Sequence, residues 1–269
     1  MNITILIPTK NRFYFLNKIL HYYDKIKFKG TILVVDSSDK NLFEKQAKLI
    51  KSFKNIIINH YYSSYNSCHA TKEHLDKIKT KYVTWSGDDD YHIIKGLEQC
   101  ILELEKKKLS SVRGGSYLFF LNSNNNDIND IRDYSGHEYL SNNKLERFQK
   151  FIDHPRCVFS NIWLSSVYKS ALEALIDNSK IATECPDRYF YDEILFSATL
   201  VTMGKIGIIP ETQFIMTMSL DRMEGKNWSK KINYNDQKKS INYMSRSIEK
   251  IINQKNKLDT INKSITNFI

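Results

Sequence analysis

Apolar and polar positions along the chain alternate between two rhythms. Ile3 to Pro8 is a continuous apolar run closed by proline, the pattern of a strand buried on both faces. Asn11 can cap a helix running to about Lys25, with Phe15, Ile19 and Tyr22 on one face and Gly30 breaking the run. Thr31 to Val35 reads as a second buried strand that ends at Asp36, and Ser37, Ser38 and Asp39 as a polar turn. A second helix carries Leu42, Phe43, Ala47 and Ile50. A strand over Asn55–Tyr61, a helix over Asn66–Lys79, a strand over Tyr82–Trp85 and a helix over Ile94–Lys107 continue the pattern. This spacing predicts an α/β fold: a central, mostly parallel sheet flanked by helices. Ligands in such sheets bind beyond the carboxyl ends of the strands. Two of those ends carry aspartates, Asp36 and the group Asp88-Asp89-Asp90.

The second half is less regular. Val112–Leu121 reads as a strand, and the Asn- and Asp-rich stretch Asn122–Asp133 as a mobile loop. Cys157–Tyr168 suggests a strand or two near the sheet edge. Asp187–Met203 is helical in pattern, with Ile194, Leu195, Ala198 and Val201 on one face and Gly204 as cap. Ile206–Ile209 and Gln213–Met218 read as late strands, followed by a polar loop beyond Leu220 and a Lys-rich helical tail from about Asn235. The expected organisation is one domain over 1–220, divided near residue 120, and a basic helical extension over 221–269.

Composition narrows the function classes. Apolar residues make up 41% and charged residues 26% of the chain, enough for an ordinary core, and no run approaches the roughly 18 apolar residues that span a bilayer. Met1–Pro8 is followed at once by Thr9, Lys10, Asn11 and Arg12, so it reads as a first strand rather than a signal segment, and a cytoplasmic location is expected. Cys68, Cys100, Cys157 and Cys185 are scattered without a CxxC pair, which suggests free thiols. The net charge is +10, and from Ser229 onward nine Lys/Arg against three Asp/Glu leave +6 in the tail. A basic tail points to peripheral contact with the inner face of a membrane, or to a partner. No helix-turn-helix, zinc-finger or RNA-binding signature accompanies it, so nucleic acid is not an expected partner.

The run Trp85-Ser86-Gly87-Asp88-Asp89-Asp90-Tyr91 carries the strongest chemical signal. Adjacent carboxylates repel one another unless solvated or neutralised by cations. On an ordinary surface loop solvation suffices. Directly after a buried strand, hard oxygen ligands suit Mg²⁺ or Mn²⁺, which can bridge a diphosphate. His92 follows as a candidate metal or phosphate contact. Tyr191-Asp192-Glu193 opens a helix, where first-turn acids are also favoured by the helix dipole alone.

Taken together, ITILIPTKNR (Ile3–Arg12), LVVDSSD (Leu33–Asp39) and YVTWSGDDDY (Tyr82–Tyr91) resemble family 2-type inverting glycosyltransferases with the GT-A (Rossmann-like) fold. The likeness covers about residues 1–120 well and 155–220 loosely. It implies a nucleotide-sugar-binding half over 1–120 and an acceptor-binding half over 121–220. It implies that Asp36 contacts the nucleotide base, with Pro8, Thr9 and Arg12 lining the same pocket. Asp88 then faces the ribose, Asp89 binds the metal, Mn²⁺ or Mg²⁺, and Asp90 is a further ligand or a support. The motif departs from the commonest form, in which an acid often stands at the Gly87 position. On the helix that the family packs under the nucleotide, Thr71-Lys72 stands in place of the usual Arg-Asn pair; Lys72 either serves the diphosphate as a point charge or is a solvated surface lysine. One acid of the pair Asp192 and Glu193 corresponds to the general base, Asp192 first. Arg222, Lys226 and Asn227 lie in a loop that reads first as plainly exposed and otherwise as a cover for the diphosphate, and Tyr61, Tyr62, Tyr65, Tyr189, Phe190 and Tyr191 suit either stacking on sugar rings or core packing. The implied reaction is transfer from a UDP- or other nucleoside-diphosphate sugar to a glycan or glycolipid acceptor, as in surface polysaccharide synthesis. The alternative is an inactive relative that binds nucleotide sugars or glycans. Nucleotidyltransferases and dinucleotide oxidoreductases need a glycine-rich phosphate loop, and Pro8–Arg12 contains no glycine.

Overall fold

A computed structural model of the chain describes residues 1–65, 67–122, 127–175, 190–219 and 234–252. The parallel block follows the apolar runs: β1 (Ile3–Thr9), β2 (Thr31–Asp36), β3 (Ile57–Tyr62) and β4 (Tyr82–Trp85) pair in parallel in the order β3-β2-β1-β4. The register sets Thr9 opposite Asp36 and Leu6 opposite Trp85. Alternate side chains of this block enter two separate cores. Ile3, Ile5, Ile7, Ile32 and Val34 face α1 (Phe13–Lys25) and α4 (Ile94–Lys107), while Leu6, Leu33, Val35, Val83 and Trp85 face the opposite layer. Both faces are covered, which is why these strands are apolar at nearly every position. α1 presents Leu16, Ile19, Leu20 and Tyr23 to its core at helical spacing. α2 (Lys40–Ile50) buries only one residue completely, Gln46, whose role lies in the site described below.

The second half completes one sheet of nine strands among the described residues. β8 (Ile162–Leu164) is antiparallel to both β4 and β6 (Ser111–Leu121), and β6 pairs in parallel with β9 (Ile206–Ser219). β1, β2, β3, β4, β6 and β9 therefore all run one way. The short β5 (Tyr91–His92) pairs antiparallel with β9 immediately after the acidic run.

Several expectations are corrected. Of Asn122–Asp133, Ile128–Asp133 is not loop but strand β7, paired antiparallel with β6. The Cys157–Tyr168 segment contributes one three-residue strand in the middle of the sheet, not at its edge, and then α6 (Ser165–Leu175). The two late strands are one, β9, with register shifts opposite Arg113–Ser116. The helix expected over Asn66–Lys79 divides into α3 (Ser67–Glu73) and a 3₁₀ turn, Leu75–Lys77. Asn11 does not cap α1; it sits in the left-handed region at φ 55°, and the helix starts at Phe13. The Asp187–Met203 helix is a π-helical turn, Phe190–Leu195, leading into α7 (Phe196–Met203), with Gly204 extended rather than left-handed. α5 (Lys144–Asp153) was not foreseen. Its buried Arg147 donates to the carbonyls of Val201 and Thr202 and so satisfies the C-terminal end of α7. The tail helix α8 (Tyr234–Ile252) buries Tyr243, Ile248 and Ile252 in the same core as α6 and α7. Among the described residues no helix is long and apolar enough to cross a membrane.

Candidate active site

Three strand ends meet at one corner of the sheet. β1 delivers Pro8 and Thr9, β2 delivers Asp36, and β4 delivers the acidic run. The β1–α1 and β2–α2 loops are tied together there. Asn11 N–H donates to Ser38 Oγ at 2.8 Å, its side chain donates to Asp39 at 3.1 Å, and the Asp39 amide donates back to Asn11 Oδ1 at 2.9 Å. The left-handed backbone at Asn11 is a conformation asparagine tolerates better than most residues. It leaves Arg12 pointing across the gap to the acids.

Arg12 and Thr9 hold the first two aspartates. Thr9 Oγ1 donates to Asp88 Oδ2 at 2.7 Å. The Arg12 guanidinium lies 2.9 Å from Asp88 Oδ1 and 2.5 Å from Asp89 Oδ2. Asp88 is buried and Asp89 nearly so. Asp90 takes a different direction. Its Oδ1 accepts from the Thr217 amide at 3.1 Å, and the Thr217 hydroxyl donates to the Asp89 carbonyl at 2.7 Å, so β9 fixes the loop. Burial, and then the charge of Asp89, raise the Asp90 carboxyl well above the ordinary carboxylate range. Gly87 gives the acids room: a Cβ there would stand 2.6 Å from Asp90 Oδ2 and 3.2 Å from Asp89 Oδ1, so a larger residue would require those carboxylates to shift.

Pro8, Thr9, Lys10, Arg12, Ser37, Gly87 and Asp88 line a cleft of about 200 Å³. Asp36 lies beneath it with no exposed surface. Its Oδ1 accepts from the Ser38 amide and its Oδ2 pairs with His60 Nε2, both at 2.9 Å, and the Gln46 amide is placed to donate to it as well. Phe43 stacks on the His60 ring at 4.5 Å.

No protein-family model and no curated protein sequence matches this chain. Solved structures do. The S. aureus TarS 1–349 structure in complex with UDP-GlcNAc superposes with a TM-score of 0.65 over 100% of this chain and 72% of that chain, at 13% identity. The same TarS segment without the sugar nucleotide gives 0.64 over 100% and 71%, at 12% identity. Its complex with UDP gives 0.58 over 100% and 89%, at 11% identity. This chain has a GT-A-like fold.

Within this GT-A-like fold the other expected residues fall as follows. Lys72 is half-buried on α3, which packs against β1 and β2. The backbone of Asp192 lies in the π-helical turn, but its side chain is outside the described residues. Glu193 Oε2 accepts a bond from the Cys157 thiol at 3.3 Å, and burial, followed by Glu193, pushes that thiol up. Phe196, which opens α7 directly after that turn, packs with Phe159 against Trp85, the last residue of β4, which leads into the aspartates. Tyr62 and Tyr65 are exposed, whereas Tyr61 is half-buried and stacks on His74. Arg222, Lys226, Asn227, Tyr189 and Cys185 lie outside the described residues.

His92 corrects the reading of it as a metal or phosphate contact. It is wholly buried, accepts from Gln213 Nε2 at its Nδ1 (2.8 Å), and meets the Trp85 carbonyl at 3.1 Å through Nε2. Burial holds the ring neutral, with its pKa pushed down to about 3. Thr217, His60 and Gln46 were missed. Thr217 is 127 residues from the acid it binds, and nothing in the local pattern marks it.

The donor set at the corner suits a divalent cation in kind. Asp88 and Asp89 present hard carboxylate oxygens beside a cleft, and the single positive charge of Arg12 offsets only part of their negative charge. Among the described residues no three His, Cys, Asp or Glu side chains converge as a complete cage. A divalent ion here would need further oxygens from a ligand and from water, the usual manner for Mg²⁺.

Proposed function

We propose that the chain is a divalent-metal-dependent inverting glycosyltransferase that transfers a sugar from a nucleoside-diphosphate sugar, most simply a UDP-sugar, to a glycan or glycolipid acceptor. The observation that carries this reading is the convergence of Thr9 and Arg12 with Asp88 and Asp89 at the carboxyl ends of β1 and β4, beside a cleft. The base sits over Pro8, Thr9 and the Asp36–Ser38 corner, the ribose beside Asp88, and the diphosphate between Arg12, Lys72 and the acids. Asp89, with Asp88 and Asp90 beside it, would hold Mn²⁺ or Mg²⁺, which when bound supplies charge neutralisation for the departing diphosphate. Arg12 adds a guanidinium able to pair with phosphate oxygens in a fork. Asp192, or Glu193, takes the proton of the acceptor hydroxyl as its oxygen bonds to the anomeric carbon and the bond from that carbon to the phosphate oxygen breaks. The nucleoside diphosphate leaves from the opposite face, and the configuration inverts. A surface-polysaccharide acceptor at the cytoplasmic face of the membrane fits the exposed Lys239, Arg246 and Lys250 of α8, which would meet anionic lipid.

The test is a melting-temperature screen of UDP- and GDP-sugars with and without Mn²⁺, followed by product analysis. At a ligand concentration near 100 Kd the folded state gains about 2.7 kcal/mol, a rise of roughly 5–10 °C. Asp89→Ala should remove the metal-dependent part of the shift and the transfer. If no sugar nucleotide raises the melting temperature in the presence of Mn²⁺, the reading is wrong. Binding with neither hydrolysis nor transfer would make the protein an inactive sugar-nucleotide binder.

A further inference from the structure

We infer that Asp36 does not read the nucleotide base: it is a positioning residue that fixes, through Ser38 and Asn11, the loop carrying Arg12. The inference rests on the donor site proposed above and reassigns one residue within it.

The likeness to family 2-type enzymes gives Asp36 to the base, and its place at the end of β2 agrees. Access does not. The carboxylate has lone pairs enough for a further donor, but no part of Asp36 is exposed. Three elements cover it. The turn after β2 brings Ser38, 2% exposed, whose amide donates to Oδ1 at 2.9 Å. β3 brings His60, whose side chain is 7% exposed and whose Nε2 lies 2.9 Å from Oδ2. α2 brings the wholly buried Gln46, and Phe43 of the same helix stacks on the His60 ring. The cleft is lined by Ser37, the next residue, but not by Asp36. A base could reach the carboxylate only after one of these packed side chains withdrew. That would leave a buried acid short of a donor, which is costly.

What Asp36 does reach is the Arg12 loop. Its bond to the Ser38 amide sets the turn, and Ser38 Oγ accepts from the Asn11 amide at 2.8 Å. Asn11 and Asp39 exchange two further bonds, at 3.1 and 2.9 Å. These contacts hold Asn11 in its left-handed conformation. Arg12 follows directly, 2.9 Å from Asp88 and 2.5 Å from Asp89. The series His60, Asp36, Ser38, Asn11 thus runs from β3 to the residue beside Arg12. A guanidinium fixed in this way meets a diphosphate without a further ordering cost. Such an effect acts on every nucleoside diphosphate alike, whatever its base.

The test measures the Kd of UDP and of 3-methyl-UDP by calorimetry on the full chain with Mn²⁺. The methyl group replaces the ring N3 hydrogen that a carboxylate would accept. The proteins are wild type, Ser38→Ala and Asp36→Asn. Ser38→Ala removes the hydroxyl that holds Asn11 and keeps the amide on Asp36, so a base-reading Asp36 would be untouched by it. It should weaken both nucleotides by one common factor, roughly three- to tenfold. Asp36→Asn should leave the ratio of the two Kd values within about twofold of the wild-type ratio. If the wild type instead binds 3-methyl-UDP roughly tenfold or more weakly than UDP and Asp36→Asn abolishes that preference, Asp36 reads the base and the inference is wrong, with the donor site left standing. Folded Ser38→Ala with the wild-type Kd for UDP would refute it equally, and serves if Asp36→Asn does not fold. A wild type that binds neither nucleotide with Mn²⁺ would overturn the donor site and the inference with it.

Discussion

The buried His92 makes a quantitative prediction about acid stability. Its ring sits at the junction of β4, β5 and β9, where the Trp85 carbonyl and Gln213 amide use both nitrogens of the neutral form. Burial depresses its pKa from 6.5 to about 3. For a histidine whose folded pKa is lowered, the unfolded chain takes up the proton first. Stability is therefore complete above about pH 6.5, is lost as pH falls, and the loss levels off only near pH 3. The slope is about 1.4 kcal/mol per pH unit, so between pH 7.5 and 4.5 this one side chain should cost the fold roughly 3 kcal/mol, and roughly 4 kcal/mol by pH 3. Other groups titrate in the same range, so the quantity to measure is the difference between wild type and His92→Asn. Asparagine offers a donor and an acceptor and has no charge to gain. Urea unfolding at pH 7.5 should show the variant less stable by about 1–3 kcal/mol, because its shorter side chain meets its partners imperfectly. At pH 4.5 that deficit should shrink by roughly 3 kcal/mol and can change sign. If the deficit is the same at both pH values, His92 titrates normally in the fold and the reasoning fails.

Asp90 should behave in the opposite sense. An acid whose folded pKa is raised destabilises the fold above that pKa, so Asp90→Asn, in the presence of EDTA, should be more stable than wild type near pH 7, with the gain vanishing toward pH 4; equal stability at both ends would contradict the raised pKa. Gly204 adopts an extended backbone open to any residue, but a Cβ there would lie 2.6 Å from Ser110 Cβ and 3.1 Å from the buried Trp163 ring. Gly204→Ala should therefore cost about 1–3 kcal/mol by overpacking, read as a lower melting temperature.

Local pattern was sufficient where a segment's environment is uniform along its length. Ile3–Thr9, Thr31–Asp36 and Tyr82–Trp85 are buried on both faces, so their apolar runs announce them, and chain order in a parallel block puts their carboxyl ends on one rim. Thr9, Arg12 and the aspartates therefore fall into one group on the sequence alone. Pattern failed where one partner decides the conformation. Ile128–Asp133 is polar and largely exposed, and it is a strand because β6 offers it an edge. Ile162–Leu164 is three residues long, too short for periodicity to register, and it is central because it pairs with β4 on one side and β6 on the other.

The sequence by itself determined the layered α/β plan and the corner at which three strand ends bring basic, hydroxyl and acidic side chains together, because hydrophobic period and strand order are carried by neighbouring residues. Only the tertiary structure decided what each polar group there is bonded to: Asp36 sealed against His60 and Gln46, Asp90 held by Thr217, His92 locked between Trp85 and Gln213, and Arg12 laid across Asp88 and Asp89. Those partners lie far away in the chain, and which of several acids faces a cation is settled by distances of a few ångströms that no local pattern encodes.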